Sequence, residues 1–495
     1  MPVDARTPVI VGVGQYVHRA DTIDDGAEPV ELMVEAVTAA AVDAGLAGVP
    51  GTVDSIRVVN LLSWRYGNPA WVLAQRLGID AAEFAYTTAG GNSPQMLVNR
   101  TALDIAAGRA DCVVLAGGEA WRTRMRIKRA GTVVDWVKAP EAVTPLQVGD
   151  GLDMTHPGEA VRGIRLPVQV YPLFESAIRA AAGTRPEEHV ADIAELWSRF
   201  STVAAANPYA WTRESMTPDQ IAAVTATNRI IGLPYRKVMN ANNDVDMAAA
   251  IIMCSAERAR ALRIPTDRWV FPHAGTDCHE HAFVSNRWSL AETPAIRIGG
   301  HRVLELAGVG IDDIDIVDLY SCFPSAVRLG AASLGLDVAA QLTRTGGLSF
   351  AGGPWNNYVM HAIATIVGEM RGGDSHRALV WANGGFLTKH SFGIYGSEPT
   401  LHGFRHDQPQ NLIDDLPSRS LADGDDAATS ATVIEAYTVM HDRDGVPVEA
   451  ITACLLPDGR RAWGTSSDVG TATAMTTGEW VGRPVTIDRT GALHV

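Results

Sequence analysis

The stretch Thr87-Thr88-Ala89-Gly90-Gly91-Asn92-Ser93-Pro94-Gln95 joins two segments with different patterns. A strand-like segment precedes it, and the run from Met96 to Gly108 after it is typical of a helix. Paired glycines let the backbone approach another group closely, and a helix N-terminus attracts negative charge. The stretch therefore predicts a strand-to-helix elbow suited to a thioester oxygen, a carboxylate or a phosphate. Many α/β proteins use such a turn for packing alone.

A second copy of this pattern lies downstream. In the first copy, Gly90-Gly91 precede a helical run and an apolar strand over 112–116 that ends in two further glycines. In the second copy, Gly352-Gly353 precede another helical run and a strand over 378–382 that ends at Gly384-Gly385. The order and the spacings nearly match, so the sequence predicts a duplicated α/β half.

Length and composition limit the possible classes of protein. The 495 residues exceed the usual domain size of ~100–200 residues, which agrees with a duplicated fold. The net charge of −15 argues against general binding to nucleic acid or to anionic membranes. We find no secretory signal and no apolar run long enough to span a bilayer. The five cysteines form no Cys-x-x-Cys pair, which indicates a reduced, cytoplasmic protein.

Taken together, these motifs resemble the thiolase superfamily. Within it, the chain is most similar to the sterol-carrier-type thiolases, and among these to the bacterial thiolase-like proteins of type 1, which carry an extra C-terminal domain. The segment Asn242-Asn243-Asp244-Val245-Asp246 is similar to one that precedes the second half in that subfamily. The resemblance covers about residues 8–400. It implies a thiolase fold, in which two βαβαβαββ halves stack in α/β/α/β/α layers.

The expected domain organisation follows this resemblance. Residues 1–275 form the N-terminal half, including an inserted loop domain of about 120–240, and residues 276–407 form the C-terminal half. A linker over 408–430 is marked by Pro417 and several aspartates. Short alternating segments joined by Asp-Gly turns over 431–495 predict a small antiparallel β-barrel of oligonucleotide-binding topology.

The positions that the resemblance assigns to catalysis carry the wrong residues. Thr88 stands at the position of the nucleophilic cysteine, and Gly353 at that of the histidine in the Gly-His-Pro loop. Ala382 replaces the second cysteine, and Tyr320 replaces a histidine that helps to bind the thioester oxygen. A threonine hydroxyl has no readily accessible anion, whereas a thiolate does. Thiolysis and Claisen condensation are therefore not expected, and His390 is our acid/base candidate.

The resemblance implies a site for a coenzyme A thioester, with no covalently bound cofactor. The residues expected to line this site are Gly90, Gly91, Asn356, Asn383 and Gly384. The run Trp121 to Arg129 alternates basic with other residues, which on an extended strand places most of the charge on one face. That face is either solvated or brings Arg122 and Arg124 to the phosphates of coenzyme A.

A cluster near the start of the second half contains ligand-like side chains. Its members are His273, Asp277, Cys278, His279, Glu280 and His281. On residue types alone they suit zinc, but their spacing matches no regular zinc motif. We expect polar packing contacts there and no metal.

Three functions remain open from the sequence. The first is binding of acyl-coenzyme A with altered acyl or carbon–carbon chemistry, or with lost catalysis. The second is retro-aldol cleavage of 3-hydroxyacyl thioesters, in which Tyr320 or His390 handles the proton. The third is a non-catalytic scaffold whose C-terminal barrel recruits a protein partner. The superfamily implies a homodimer, and the altered elbow and extra domain leave a monomer as the alternative.

Overall fold

The computed structural model describes residues 3–373, 376–428 and 431–495. Thr429 and Ser430, the last two residues of the predicted linker, lie outside the described residues. No helix among the described residues combines the length and the apolar character that a bilayer crossing requires.

The strands are β1 (Pro8–Val17), β2 (Thr52–Val58), β3 (Asp80–Thr87), β4 (Cys112–Ala120), β5 (Leu146–Val148), β6 (Ile230–Gly232), β7 (Tyr235–Arg236), β8 (Asp246–Ser255), β9 (Phe271–His279), β10 (Ile316–Leu319), β11 (Arg377–Gly384), β12 (Lys389–Gly396), β13 (Arg405–Asp407), β14 (Thr432–His441), β15 (Pro447–Leu455), β16 (Arg461–Ser466), β17 (Pro484–Ile487) and β18 (Leu493–His494). The helices are α1 (Pro29–Asp43), α2 (Pro69–Leu77), α3 (Ser93–Ala106), α4 (Trp121–Arg129), α5 (Pro157–Val161), α6 (Pro167–Ala181), α7 (Pro186–Ala206), α8 (Pro218–Ala222), α9 (Ala256–Ala261), α10 (Pro294–Ala307), α11 (Pro324–Leu334), α12 (Gly347–Phe350), α13 (Tyr358–Gly372), α14 (Gln410–Asp414), α15 (Asp425–Ala428) and α16 (Val469–Ala474).

Two sheets carry the duplicated pattern. The first has the strand order β1-β8-β4-β2-β3-β5, and the second has the order β10-β11-β12-β9-β13. In the first sheet β2 runs parallel to β4, and β8 runs antiparallel to β4 and β1. In the second, β10 runs parallel to β11, and β12 runs antiparallel to β11 and β9. The order β2-β4-β8-β1 in the first sheet therefore matches β10-β11-β12-β9 in the second, both in position and in strand direction. The duplication read from the sequence is present in the fold.

Helices α3 and α13 lie between the two sheets. Helix α3 packs on β4 and β8 of the first sheet and on β9, β11 and β12 of the second. Its buried polar side chains reach the second sheet, where Tyr395 Oη donates to Gln95 Oε1 at 2.7 Å. Helix α1 covers the outer face of the first sheet, and α10 covers that of the second. The layers are therefore α/β/α/β/α, and the predicted fold class is confirmed.

The segment between β4 and β8 occupies the place of the predicted loop domain. It contains α4 to α8 and the short strands β5 to β7. Strand β5 runs parallel to the end of β3, and β6 pairs both with β7 and with β14 of the C-terminal sheet. This inserted segment therefore contacts both the first half and the C-terminal region.

The basic run 121–129 is helical, so the extended strand predicted for it is wrong. Thr123 and Ile127 are the two buried residues of α4, and their spacing of four matches a helical face. Thr123 donates through its backbone N and its hydroxyl to Asp246, at 3.0 and 2.7 Å. Arg126 donates to two backbone carbonyls, of Ala20 and Asp21. These tertiary contacts decide the conformation, and the alternation of charge in the sequence does not contain them.

The C-terminal strands form an antiparallel sheet in the order β16-β15-β14-β17-β18. Thr465 N donates to Gly491 O at 2.9 Å and so connects β16 to the segment before β18. Closure of these strands into a barrel remains a prediction. Helices α14 and α15 lie inside the predicted linker 408–430, and β9 spans the predicted boundary between 275 and 276.

Arg461 connects the C-terminal sheet to the second half of the fold. Its side chain is fully buried, and its Nη1 donates to the backbone carbonyls of Val284, Ser285 and Arg287 at 3.1, 2.9 and 2.6 Å. Glu435 accepts from Nε and Nη2 at 2.7 and 2.9 Å. Because the charge is both paired and hydrogen-bonded, its burial is compensated.

Candidate functional site

The elbow is the turn between the end of β3 and the start of α3. Gly90 has φ 155°, a conformation that side-chain-bearing residues rarely adopt. Its N–H donates to Asn356 Oδ1 at 3.0 Å, and Asn356 Nδ2 donates to Asn60 O at 3.0 Å. The loop before α13 therefore holds the elbow in place from the second half of the chain.

Gly91 faces the centre of the site, where a side chain has no room. A Cβ on Gly91 would overlap with Tyr320 Oη and lie 2.5 Å from Asn383 O. On the opposing loop, a Cβ on Gly384 would lie 3.3 Å from Gly91 N. The structure therefore brings Gly90, Gly91, Tyr320, Asn383 and Gly384 together, as the sequence predicts for a lining.

Tyr320 supplies the polar group at this centre. Its side chain is buried, and its ring stands edge-on to Tyr358 with centroids 5.8 Å apart. Burial raises the pKa of Tyr320 well above its usual value, so the hydroxyl is neutral at physiological pH. A neutral hydroxyl can donate a hydrogen bond to a developing oxyanion.

The register of β11 and β12 places Ala382 and His390 on opposite faces of the second sheet. Ala382 pairs with Ser391, and Asn383 pairs with His390. Ser391 Oγ is 3.4 Å from Asn92 Nδ2, which puts Ser391 and Ala382 on the face toward α3. Asn383 and His390 point to the other face.

His390 is fully buried. Its Nδ1 accepts from Trp381 Nε1 at 3.3 Å. Burial, with a smaller effect from Arg287, lowers the pKa of His390 to about 3. This imidazole is therefore neutral, and its recorded ring contact is with Trp381.

Thr88 and Gly353, which the resemblance assigns to two further catalytic positions, do not meet at the Tyr320 hydroxyl. The Thr88 hydroxyl donates to Asp150 O at 2.9 Å. Gly353 packs on the segment before β8, where its N–H donates to Asn242 O at 2.9 Å and its Cβ position lies 2.9 Å from Asn243 Oδ1. Gly91, and not Thr88, is the elbow residue that contacts Tyr320.

The predicted phosphate ligands lie on α4. Arg122 forms an ion pair with Asp244 at 3.1 Å, and its guanidinium lies 5.7 Å from the centroid of the Trp211 ring. Arg124 is half-buried on the same helix. Arg122 is therefore partly neutralised, and its binding to coenzyme A stays a prediction.

Two residues near the site were not among those predicted. Tyr171, in α6 of the inserted segment, donates to Gly385 O at 2.9 Å and accepts from Asn383 Nδ2 at 2.9 Å. Lys389 donates to Ala89 O in the elbow at 2.6 Å. A cation directly after a glycine loop was the available signal for Lys389, whereas the sequence contains no local signal for Tyr171.

The cluster from His273 to His281 makes polar packing contacts. His273 Nε2 is 2.7 Å from Glu398 O, and His279 Nδ1 is 2.8 Å from Glu280 O. The Glu280 carboxylate accepts from the backbone N–H groups of His281 and Ala295. Across the described ranges, no group of three or more His, Cys, Asp or Glu side chains is placed to hold a metal ion.

The two sheets, the central helix pair and the elbow define a protein of the thiolase fold. A crystal structure of a monomeric SCP2-thiolase-like protein type 1 from Mycobacterium smegmatis superposes with a TM-score of 0.83 at 32% identity, covering 98% of each chain. Residues 409–492 match the family described as the thiolase-like protein type 1 additional C-terminal domain, so this domain includes most of the predicted linker. The chain belongs to the SCP2-thiolase-like proteins of type 1.

More distant relatives fit the same class. An acetyl-CoA acetyltransferase of Methanocaldococcus jannaschii is 22% identical over 59% of this chain and 67% of its own length. The structure of an Ltp2-ChsH2(DUF35) aldolase aligns with a TM-score of 0.60 at 21% identity, over 79% of this chain and 98% of that one. At this identity the second similarity concerns the fold alone.

Proposed function

We propose that this protein binds acyl-coenzyme A thioesters at the elbow without forming an acyl-enzyme. The observation that carries this proposal is the contact of Gly91 with Tyr320 Oη, which fills the space that a nucleophilic side chain would need. The N-terminus of α3 and the Tyr320 hydroxyl remain available to a thioester oxygen. Relatives named acetyl-CoA acetyltransferases support the ligand class.

The test combines calorimetry with intact-protein mass spectrometry. We expect acetyl-coenzyme A to bind the full chain, and the protein mass to stay unchanged after incubation and removal of ligand. Tyr320→Phe keeps the ring and removes the hydroxyl, so it should bind the thioester more weakly. An acetylated chain contradicts the absence of an acyl-enzyme, and the lack of any binding contradicts the proposed ligand.

Carbon–carbon cleavage is the second candidate. In this reaction the 3-hydroxyl group of the thioester loses its proton to solvent, the C2–C3 bond breaks to release an aldehyde or ketone, and the resulting enolate takes a proton from solvent at C2. The raised pKa of Tyr320 keeps its hydroxyl protonated, so it can donate a hydrogen bond to the enolate oxygen. Cleavage of 3-hydroxyacyl thioesters by the protein, lost in Tyr320→Phe, supports this reaction. Tight binding of the thioester with no turnover favours a scaffold, in which the C-terminal domain recruits a protein partner.

A further inference from the structure

A cavity of about 430 Å³ opens beside α3 and reaches the elbow. It lies between α3 and the edge of the second sheet. The side chains that decide its chemistry are Thr88, Asn92, Arg100, Asp277, His279 and Lys389. It is distinct from the Tyr320 centre, because a Cβ on Gly90 would point at Lys389 Cε, 3.1 Å away, whereas one on Gly91 would point at Tyr320.

Lys389 is a buried cation in this cavity without an acidic partner. Lys389 is only 5% exposed. Its Nζ donates to Ala89 O at 2.6 Å and to Asp150 O at 3.2 Å. Both acceptors are backbone carbonyls. An ammonium group has three N–H donors, so one is left over. Among the described residues, the recorded hydrogen bonds of Lys389 Nζ go to these two carbonyls, and Asp150 supplies the acidic charge that acts on it from a distance.

The other charged groups of the cavity are already engaged or are exposed. The Asp277 carboxylate accepts from Ser391 Oγ at 2.5 Å and from Asn99 Nδ2 at 3.2 Å, and it pairs with His406 Nε2 at 2.7 Å. Arg100 pairs with Asp104 at 3.2 Å. Among the described residues that line the cavity, Lys389 is therefore the cation whose charge remains uncompensated.

The Asp150 side chain is exposed to solvent, so its negative charge stabilises the Lys389 ammonium group only weakly. The charge of Asp150 raises the pKa of Lys389 by less than burial lowers it. Asp150 therefore does not replace the missing counter-ion.

We propose that this cavity binds a small carboxylate, or the carboxylate end of an acyl group, whose charge pairs with Lys389. A buried charge without a partner is costly, and a carboxylate would compensate it through a charge-assisted hydrogen bond. His279 lines the same cavity, and because its Nδ1 is 2.8 Å from Glu280 O, its Nε2 can add a second polar contact.

The test compares succinate with the uncharged succinamide on the unmodified full chain, by calorimetry and by NMR of histidine ring signals. We expect succinate to bind at least about tenfold more tightly, as one charge-assisted hydrogen bond implies. The signals of His279 and His406, assigned with His279→Gln and His406→Gln, should shift with succinate. Equal affinity for the two compounds, or no binding of succinate, overturns the proposal.

Variants of Lys389 test whether this residue causes the preference for succinate over succinamide. Lys389→Met should abolish the preference for succinate, and Lys389→Arg should retain it. Lys237→Met, which removes an exposed lysine, is the matched control and should bind succinate like the unmodified protein. A preference that survives in Lys389→Met contradicts the proposal. If Lys389→Met does not fold, the comparison of succinate with succinamide on the unmodified chain still decides the question.

Thioesters distinguish the two sources of the carboxylate, and only this part rests on the proposed function. If the carboxylate belongs to an acyl group, succinyl-coenzyme A should bind more tightly than butyryl-coenzyme A, and Lys389→Met should remove the difference. Equal binding of both thioesters, with free succinate still bound, assigns the cavity to a free carboxylate. If neither thioester binds, the proposed function fails while the succinate titration still tests the cavity.

Discussion

The two glycines of the elbow have different neighbours, and each restricts the chemistry in its own way. Gly90 turns the backbone so that its N–H meets Asn356, and Gly91 leaves room for the Tyr320 hydroxyl. Both effects depend on the absence of a Cβ. At this scale the site is defined by backbone geometry and one phenol.

Gly91→Ala should weaken both folding and thioester binding. The added methyl group would overlap with Tyr320 Oη and the Asn383 carbonyl, and overpacking of this kind costs about 1–3 kcal/mol. Urea unfolding and calorimetry with acetyl-coenzyme A measure the two effects. Gly48→Ala is the control, because no atom lies within 4 Å of its Cβ position. Unchanged stability and binding in Gly91→Ala would show that Tyr320 does not occupy this space.

Thr88→Cys alone should not create thiolase activity. The Thr88 side chain contacts Asp150 O and not Tyr320, and Gly353 offers no base. A thiolysis assay with acetoacetyl-coenzyme A and free coenzyme A measures the outcome, with a catalytically active thiolase as the positive control. Vigorous thiolysis by the variant would place residue 88 at the reactive centre and refute the geometry described above.

The sequence predicts part of this site and misses part of it for a clear reason. The glycine turn is visible as a residue type, and so are the threonine and glycine at the positions that the resemblance assigns to a cysteine and a histidine. The direction in which each side chain points is not, since Thr88 and Gly91 are three residues apart in one turn. His390 illustrates the same limit, because a strand register decides which face of the sheet it occupies.

At the scale of elements, long periodic segments are well predicted and short charged ones are not. The expected helix from Met96 and strand from Cys112 correspond to α3 and β4. The basic run became α4 because Thr123 and Ile127 are buried, and this burial depends on residues far away in the chain. The strand β5, which pairs with the end of β3, carried no recognisable sequence signal.

Glu119, at the end of β4, should make stability depend on pH. Its carboxylate accepts from the backbone N–H groups of Leu62 and Ser63, and burial raises its pKa from 4.5 to about 7. The folded protein therefore keeps a proton that the unfolded chain releases, so this contribution is complete below about pH 4.5 and is lost as pH rises through 7.

The measurement is urea unfolding at pH 5 and pH 8. Glu119→Gln cannot ionise, so the unmodified protein should lose a few kcal/mol more than this variant between the two pH values. Glu195→Gln, on an exposed position of α7, should keep the unmodified difference. The same pH dependence in Glu119→Gln would show that another group is responsible.

Strand β5 should favour a monomer, because it covers part of the edge of β3. Leu146 to Val148 pair with Ala85 to Thr87, and an edge strand that is already paired cannot accept another chain at those residues. Sedimentation velocity over a range of concentrations should give the mass of one 52.7-kDa chain. A stable species of twice that mass would contradict this expectation.

At the scale of the whole molecule, Arg461 and its neighbour Arg460 provide a matched pair of tests. Arg461→Met leaves Glu435 and three carbonyls without their buried donor, so it should cost about 3–5 kcal/mol and expose the C-terminal domain to proteolysis. Arg460→Met removes pairs with Asp426 and Asp458 that are more open to solvent, and it should cost about 1 kcal/mol or less. Equal effects would refute the role of Arg461 as the connection.

The pairing of β6 with β14 bears on how this protein can be shortened. A chain cut after Asp407 would leave β6 paired with β7 alone and would uncover the face of α6 on which β14 packs. Such a fragment would carry a bare sheet edge and an exposed apolar face, which together promote self-association. The C-terminal domain therefore covers part of the inserted segment, and removing it should yield aggregates instead of a minimal thiolase.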